Sequence, residues 1–120
     1  MIRGILDVGC GAGRDLEIFR KQGFDPMGVD GSEEMCSLAR MHSGCRVYNS
    51  TFEEFTPHRQ VDGIWAMASL VHTADKDLPA LVHRLWSWLK PGGVMFTCFK
   101  DKSAAGVAGD YCCFTLTSRS

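Results

Sequence analysis

Short apolar runs alternate with amphipathic stretches along this chain. Ile2 to Val8 reads as a buried strand and breaks into the glycine turn Gly9-Cys10-Gly11-Ala12-Gly13. Arg14 to Gln22 places Leu16 and Phe19 on one helical face and stops at Gly23. Pro26 to Val29 is a short second strand closing on Asp30. Ser32 is positioned to cap a second helix, with Glu33 and Glu34 in its first turn where the dipole favours acids. Met35, Leu38 and Ala39 supply the inner stripe of that helix, and Gly44 ends it. Cys45 to Tyr48 predicts a third strand, Thr51 to Phe55 a single turn, and Val61 to Ala68 a strongly apolar fourth strand. Asp77 caps a third helix running to about Leu89, in which Leu78, Leu81, Val82, Leu85 and Leu89 recur at helical spacing. Lys90-Pro91-Gly92-Gly93 stops it before a fifth strand, Val94 to Phe99. Beyond lies a Gly/Ala/Ser-rich loop, Asp101 to Asp110, and then Tyr111 to Leu116, an irregular strand.

Strands that are apolar throughout, alternating with helices, predict a parallel sheet covered on both faces. Right-handed crossovers make it an open, doubly wound, three-layer α/β fold of about five strands. No repeat or linker divides the chain, so residues 1–120 read as a single domain. With five parallel strands, the outer edge of the fifth stands bare, and such an edge invites pairing with a second copy.

Composition narrows the class. A hydrophobic share of 45% and a charged share of 22% exclude a disordered scaffold. The net charge of -1 offers no basic excess for a nucleic-acid backbone. Ile64 to Val71, the most apolar stretch, is about a third of a membrane span. The start of the chain meets Asp7 before a signal-type apolar run can form. The six cysteines show no C-x-x-C spacing, and no H-x-x-x-H accompanies them, so no metal site is expected. Reduced thiols in a cytoplasmic protein are the reading of those cysteines; Cys112-Cys113 reads as packing.

The first βα turn carries the candidate chemistry. Alternating glycines let a backbone approach a ligand closely, and the following helix start offers free N–H groups. Dinucleotide sites use G-x-G-x-x-G, whereas Arg14 stands here where the last glycine should be. Asp7 inside the strand tip suits a cationic ligand with an amino group and a sulfonium. Asp30 ends the second strand about 20 residues on, where a carboxylate takes ribose hydroxyls.

The segments Ile5 to Gly13, Gly28 to Ser32 and Leu89 to Gly93 together resemble the class I S-adenosylmethionine-dependent methyltransferases, whose sheet is Rossmann-like. The segment Val61 to His72 is similar to a group of small bacterial-type members that includes tellurite-resistance-like proteins. The resemblance runs from Ile5 to about Thr117 and implies S-adenosylmethionine as cofactor and a small-molecule methyl acceptor. It assigns Asp7, Gly9, Cys10, Gly11 and Gly13 to the methionine part of the cofactor, Asp30 to the ribose, and Gly31 and Ser32 to the adenine. Thr51 and Phe52 match an adenine contact, through a Thr51 hydrogen bond or the Phe52 amide, although Phe52 also reads as core. Trp65, Ala66 and Met67 match the strand tip that faces cofactor and substrate; for Trp65 the core reading is equally good. His72 reads either as a general base or as a hydrogen-bonded loop histidine. His42, His58 and His83 read as surface residues.

Family members usually carry helices before the first strand, and a helix and an antiparallel strand pair after the fifth. On that pattern the chain is a core lacking both. A non-catalytic cofactor-binding remnant, or a module completed by a partner, is therefore a second reading. A nicotinamide oxidoreductase is a third, disfavoured by Arg14.

Overall fold

The computed structural model describes residues 3–66, 77–100 and 111–117. Its elements in chain order are β1 (Gly4–Val8), α1 (Arg14–Lys21), β2 (Asp25–Asp30), α2 (Glu33–Ser43) and β3 (Arg46–Asn49), followed by β4 (Val61–Ala66), α3 (Leu78–Ser87), β5 (Leu89–Lys100) and β6 (Tyr111–Thr117). The sheet order is β3-β2-β1-β4-β5-β6. The five strands from β1 to β5 are mutually parallel, as their apolar runs predict, with a helix in every connection except the one from β3 to β4.

Register fixes which side chains share a face. Leu6 pairs with Ile64, and Ile64 with Met95. These residues, with Val8, Val29 and Ala66, pack under Leu81, Leu85 and Trp88 of the α3 region. Asp7 pairs with Gly28 and with Trp65, and these stand on the opposite face, the one covered by α1 and α2. There Cys10, Leu16, Cys36, Ala39 and Val47 form a second core.

Four sequence expectations change. The edge of β5 is not bare: β6 runs antiparallel along it from Val94↔Thr117 to Lys100↔Tyr111. A strand returning after so short a connection must run antiparallel, because a parallel crossover needs a dozen residues or more. The ground for a second copy pairing at that edge is thereby removed. In α2 the buried residues are Cys36, Ala39 and Ser43, while Met35 and Leu38 are 40% and 36% exposed. Close helix contact selects the small side chains: a Cβ on Gly13 would lie 2.7 Å from Ala39 Cα. The third helix ends at Ser87, before Leu89, which instead opens β5 opposite Val61. Lys90-Pro91-Gly92-Gly93 forms the irregularity between that pair and Gly63↔Val94. Finally, Asp77 stands at the N-cap of α3 without a side-chain capping bond; Pro79 in the first turn has no N–H to satisfy. Ser32 does cap α2, accepting from the Met35 N–H at 3.3 Å.

Candidate functional site

The carboxyl ends of β1 and β2 meet at the glycine turn. Gly9, Gly11 and Gly13 all have positive φ (75°, 55° and 88°), a region that costs other L-residues about 1–2 kcal/mol. The three differ in purpose. Gly13 lets α1 lie against Ala39, as its missing Cβ shows. At Gly11 and Gly31 an added Cβ would meet no atom within 4 Å, so both face outward from the turn. The N–H groups of Gly9 and Cys10 donate to Val29 O at 2.8 and 3.2 Å, seating the turn on β2.

Asp30 organises the rest. Its Oδ2 accepts the Gly11 N–H and its Oδ1 the Ser32 N–H, each at 2.9 Å. One half-buried carboxylate thus joins the turn, the end of β2 and the residues leading into α2. Each oxygen keeps a further lone pair for another donor.

Asp7 is buried on the sheet face beneath α1, and its Oδ2 has no hydrogen-bond partner among the described residues. Burial pushes its carboxyl up to about 7, with Asp15 and then Asp30 adding like-charge repulsion. The Cys10 thiol is pushed up to about 12, first by burial and then by Asp7 and Asp30. It therefore stays protonated and acts as packing: a Cβ on Gly28 would lie 2.8 Å from its Sγ.

Asp15, in the first turn of α1, was not legible as a site residue. Its position reads only as an acid complementing a helix dipole. In the structure its Oδ2 accepts the Trp65 indole N–H at 3.0 Å. Trp65 is half-buried, stacks on Phe96 with centroids 4.6 Å apart, and meets Phe19 edge-on at 5.3 Å.

The other expected site residues are placed as follows. Thr51 and Phe52 open the turn after β3; Thr51 Oγ1 accepts from the Glu54 N–H at 3.3 Å, and Phe52 packs on the larger core. Arg84 of α3 holds this turn by donating to Phe52 O at 2.7 Å and Phe55 O at 2.6 Å. Gly31 and Ser32 are exposed beside Asp30. Ala66 is fully buried at the end of β4, its carbonyl accepting from Thr97 Oγ1 at 3.2 Å. His72 and Met67 lie outside the described residues. His42, His58 and His83 are exposed, and His42 Nδ1 lies 3.1 Å from Ala12 O. Among the described residues no group of acids, histidines and cysteines could hold a metal ion.

Residues 5–93 match a family described as a methyltransferase domain. The chain belongs to the class I S-adenosylmethionine-dependent methyltransferases. The methyltransferase domain is 32% identical over 104 residues to a ubiquinone biosynthesis O-methyltransferase of Rhodopseudomonas palustris, covering 82% of this chain and 40% of that protein. It is 37% identical over 97 residues to phosphoethanolamine N-methyltransferase 3 of Arabidopsis thaliana, covering 74% of this chain and 19% of that one. Among solved structures it is similar to CalS10 with S-adenosylmethionine bound, an amino pentose methyltransferase from Micromonospora echinaspora (TM-score 0.73, 27% identity, 80% of this chain and 42% of that one). The domain thus spans two-fifths or less of the curated relatives it matches.

A cavity of about 770 Å³ opens at the other end of the strands, lined by Arg3, Arg20, Arg46, Arg59, Asp62 and Lys90 among others. It lies away from the glycine turn. Asp62 there accepts from the N–H groups of Gly4 at 2.9 Å and Arg3 at 3.2 Å, which hold its carboxyl below the usual range. Among the described residues no helix is long and apolar enough to cross a membrane.

Proposed function

We propose that this domain binds S-adenosylmethionine across the glycine turn and serves transfer of its methyl group to a small-molecule acceptor. One observation carries the reading: among the described residues, a buried carboxylate oxygen of Asp7 has no partner beside an outward-facing glycine turn tied to Asp30. A ligand with a positive group at one end and ribose hydroxyls in its middle complements both carboxylates. The residues present therefore fit this cofactor.

When bound, S-adenosylmethionine supplies a methyl group on a sulfonium centre, open to in-line attack and leaving a neutral thioether. The protein's share is placement. Asp30 accepts from the ribose hydroxyls while keeping its two backbone donors. The backbone from Gly9 to Gly13 lies along the amino-acid part, with Asp7 and Cys10 behind it. Gly31 and Ser32 border the adenine, and Thr51 Oγ1, which keeps its O–H and a lone pair beside the Glu54 N–H, or the Phe52 amide takes the adenine edge. Ala66, at the end of β4, faces the cofactor from across β1 in this reading, and His72 remains the candidate base where an acceptor starts protonated. Orientation and exclusion of water then supply most of the rate.

The relatives' names, which specify ubiquinone biosynthesis and phosphoethanolamine, support a small acceptor. The free thiols Cys10, Cys36 and Cys45 support a reducing, cytoplasmic setting. Residues 1–120 act in this reading as one domain. The limited span of the relatives favours a second reading, a domain that binds the cofactor without transferring from it alone. Methyl transfer from radiolabelled S-adenosylmethionine to a panel of small phenols and amines tests the first. Binding with no labelled product on any acceptor supports the second.

A further inference from the structure

Asp7, Asp15 and Trp65 come from three separate elements and meet on one face of the sheet. Trp65 is in register with Asp7 across β1 and β4, so both side chains rise on the α1 side. Asp15 reaches over from the first turn of α1 and takes the indole N–H at 3.0 Å. Phe19 and Phe96 hold the same indole from its edge and its face. The Trp65 ring is thus fixed at four sides, by a carboxylate, two aromatic rings and its own strand. Asp7 beside it is only 3% exposed, and among the described residues its Oδ2 has no partner.

We propose that Asp15 is a positioning residue for the amino-acid end of the cofactor: it fixes the Trp65 indole beside Asp7, and its charge adds to the field that draws an ammonium group to Asp7. This rests on the methyltransferase reading and extends it to a residue outside the glycine motif. The charged groups acting on Asp7 are Asp15 from α1 and Asp30 from β2; the neutral Cys10 thiol lies in the adjoining turn. Burial first, and then these two acids, raise the Asp7 carboxyl, so near neutral pH it holds a proton for part of the time. An arriving ammonium reverses that field. Asp7 then gives its proton to the buffer and pairs as carboxylate with the cation.

Calorimetric titration of the full chain with S-adenosylhomocysteine, near neutral pH in two buffers of different ionisation heat, counts the released protons. 5′-Methylthioadenosine, which lacks the amino-acid part, is the control. The expected result is a fraction of a proton released with the first ligand and none with the second. Asp15→Asn keeps an acceptor for the indole but removes the charge. It should bind S-adenosylhomocysteine about tenfold more weakly (a loss of ~1.4 kcal/mol), release fewer protons, and leave methylthioadenosine affinity unchanged. Equal proton release by both ligands in the unaltered protein overturns the proposal, and so does an Asp15→Asn variant with unchanged affinity and proton count. Failure of both ligands to bind the unaltered protein would instead remove the methyltransferase reading beneath it.

Discussion

Asp30 Oδ2 accepts the Gly11 N–H at 2.9 Å, so the carboxylate at the end of β2 fixes the shape of the turn at the end of β1. The same side chain holds Ser32 through Oδ1. Asp30→Ala removes both supports and the proposed ribose acceptor together. Affinity for S-adenosylhomocysteine should fall by about 1–3 kcal/mol, the scale of lost charged hydrogen bonds. Titration of both proteins checks this, and equal affinities remove Asp30 from the site.

The glycines of the turn separate by purpose. Gly13→Ala meets the Ala39 backbone at 2.7 Å in a positive-φ conformation, so it should cost roughly 2–4 kcal/mol of stability. Gly11→Ala meets nothing within 4 Å and should cost only the conformational part, about 1–2 kcal/mol. Its main effect should be on cofactor affinity, since the new methyl group stands where the ligand is proposed to lie. Urea unfolding with and without S-adenosylhomocysteine distinguishes the two variants.

Asp7 makes the ligand-free domain sensitive to pH. Its folded carboxyl is raised to about 7 from an ordinary value of 3.8, first by burial. Its contribution to stability is therefore complete below about pH 4 and is lost as pH rises through 7. The full swing from this one group is roughly 4 kcal/mol. Asp7→Asn abolishes that slope. Its melting temperature relative to the unaltered protein should rise between about pH 5 and about pH 8. A difference that stays constant with pH would show that Asp7 ionises normally.

Arg84 ties α3 to the turn carrying Thr51 and Phe52, donating to the carbonyls of Phe52 and Phe55. It also lies 5.5 Å over the Trp88 ring. Arg84→Ala should destabilise by about 2–3 kcal/mol, because two carbonyls lose a charged donor. Hydrogen exchange should quicken first at the Phe55 N–H, which donates to Thr51 O at 3.0 Å. Uniform loss of protection across the sheet would argue against this local role.

What the pattern revealed and what it hid have physical causes. Buried parallel strands are apolar throughout, so β1, β2 and β4 stood out, and glycine spacing exposed the turn between β1 and α1. Asp30 was legible because a strand end about 20 residues beyond such a turn is a defined place in this topology. The α2 stripe misled because residue size, rather than hydrophobicity, decides who lies under a close helix contact: Cys36, Ala39 and Ser43 fit, and Met35 does not. The direction in which β6 pairs with β5 lies in the length of the Asp101 to Asp110 connection and not in hydropathy, so the apolar pattern alone missed it. Asp15 was invisible for a related reason. Its bond to Trp65 spans 50 positions, and nothing in the local sequence of α1 marks it.

The central claim is that the turn from Gly9 to Gly13 and the carboxylates around it hold S-adenosylmethionine. Calorimetric titration of the folded chain with S-adenosylhomocysteine tests it most directly. The account predicts saturable binding at one site per chain, weakened roughly fivefold or more in Asp30→Ala. A folded protein that gives no binding heat and no ligand-induced rise in melting temperature would contradict it.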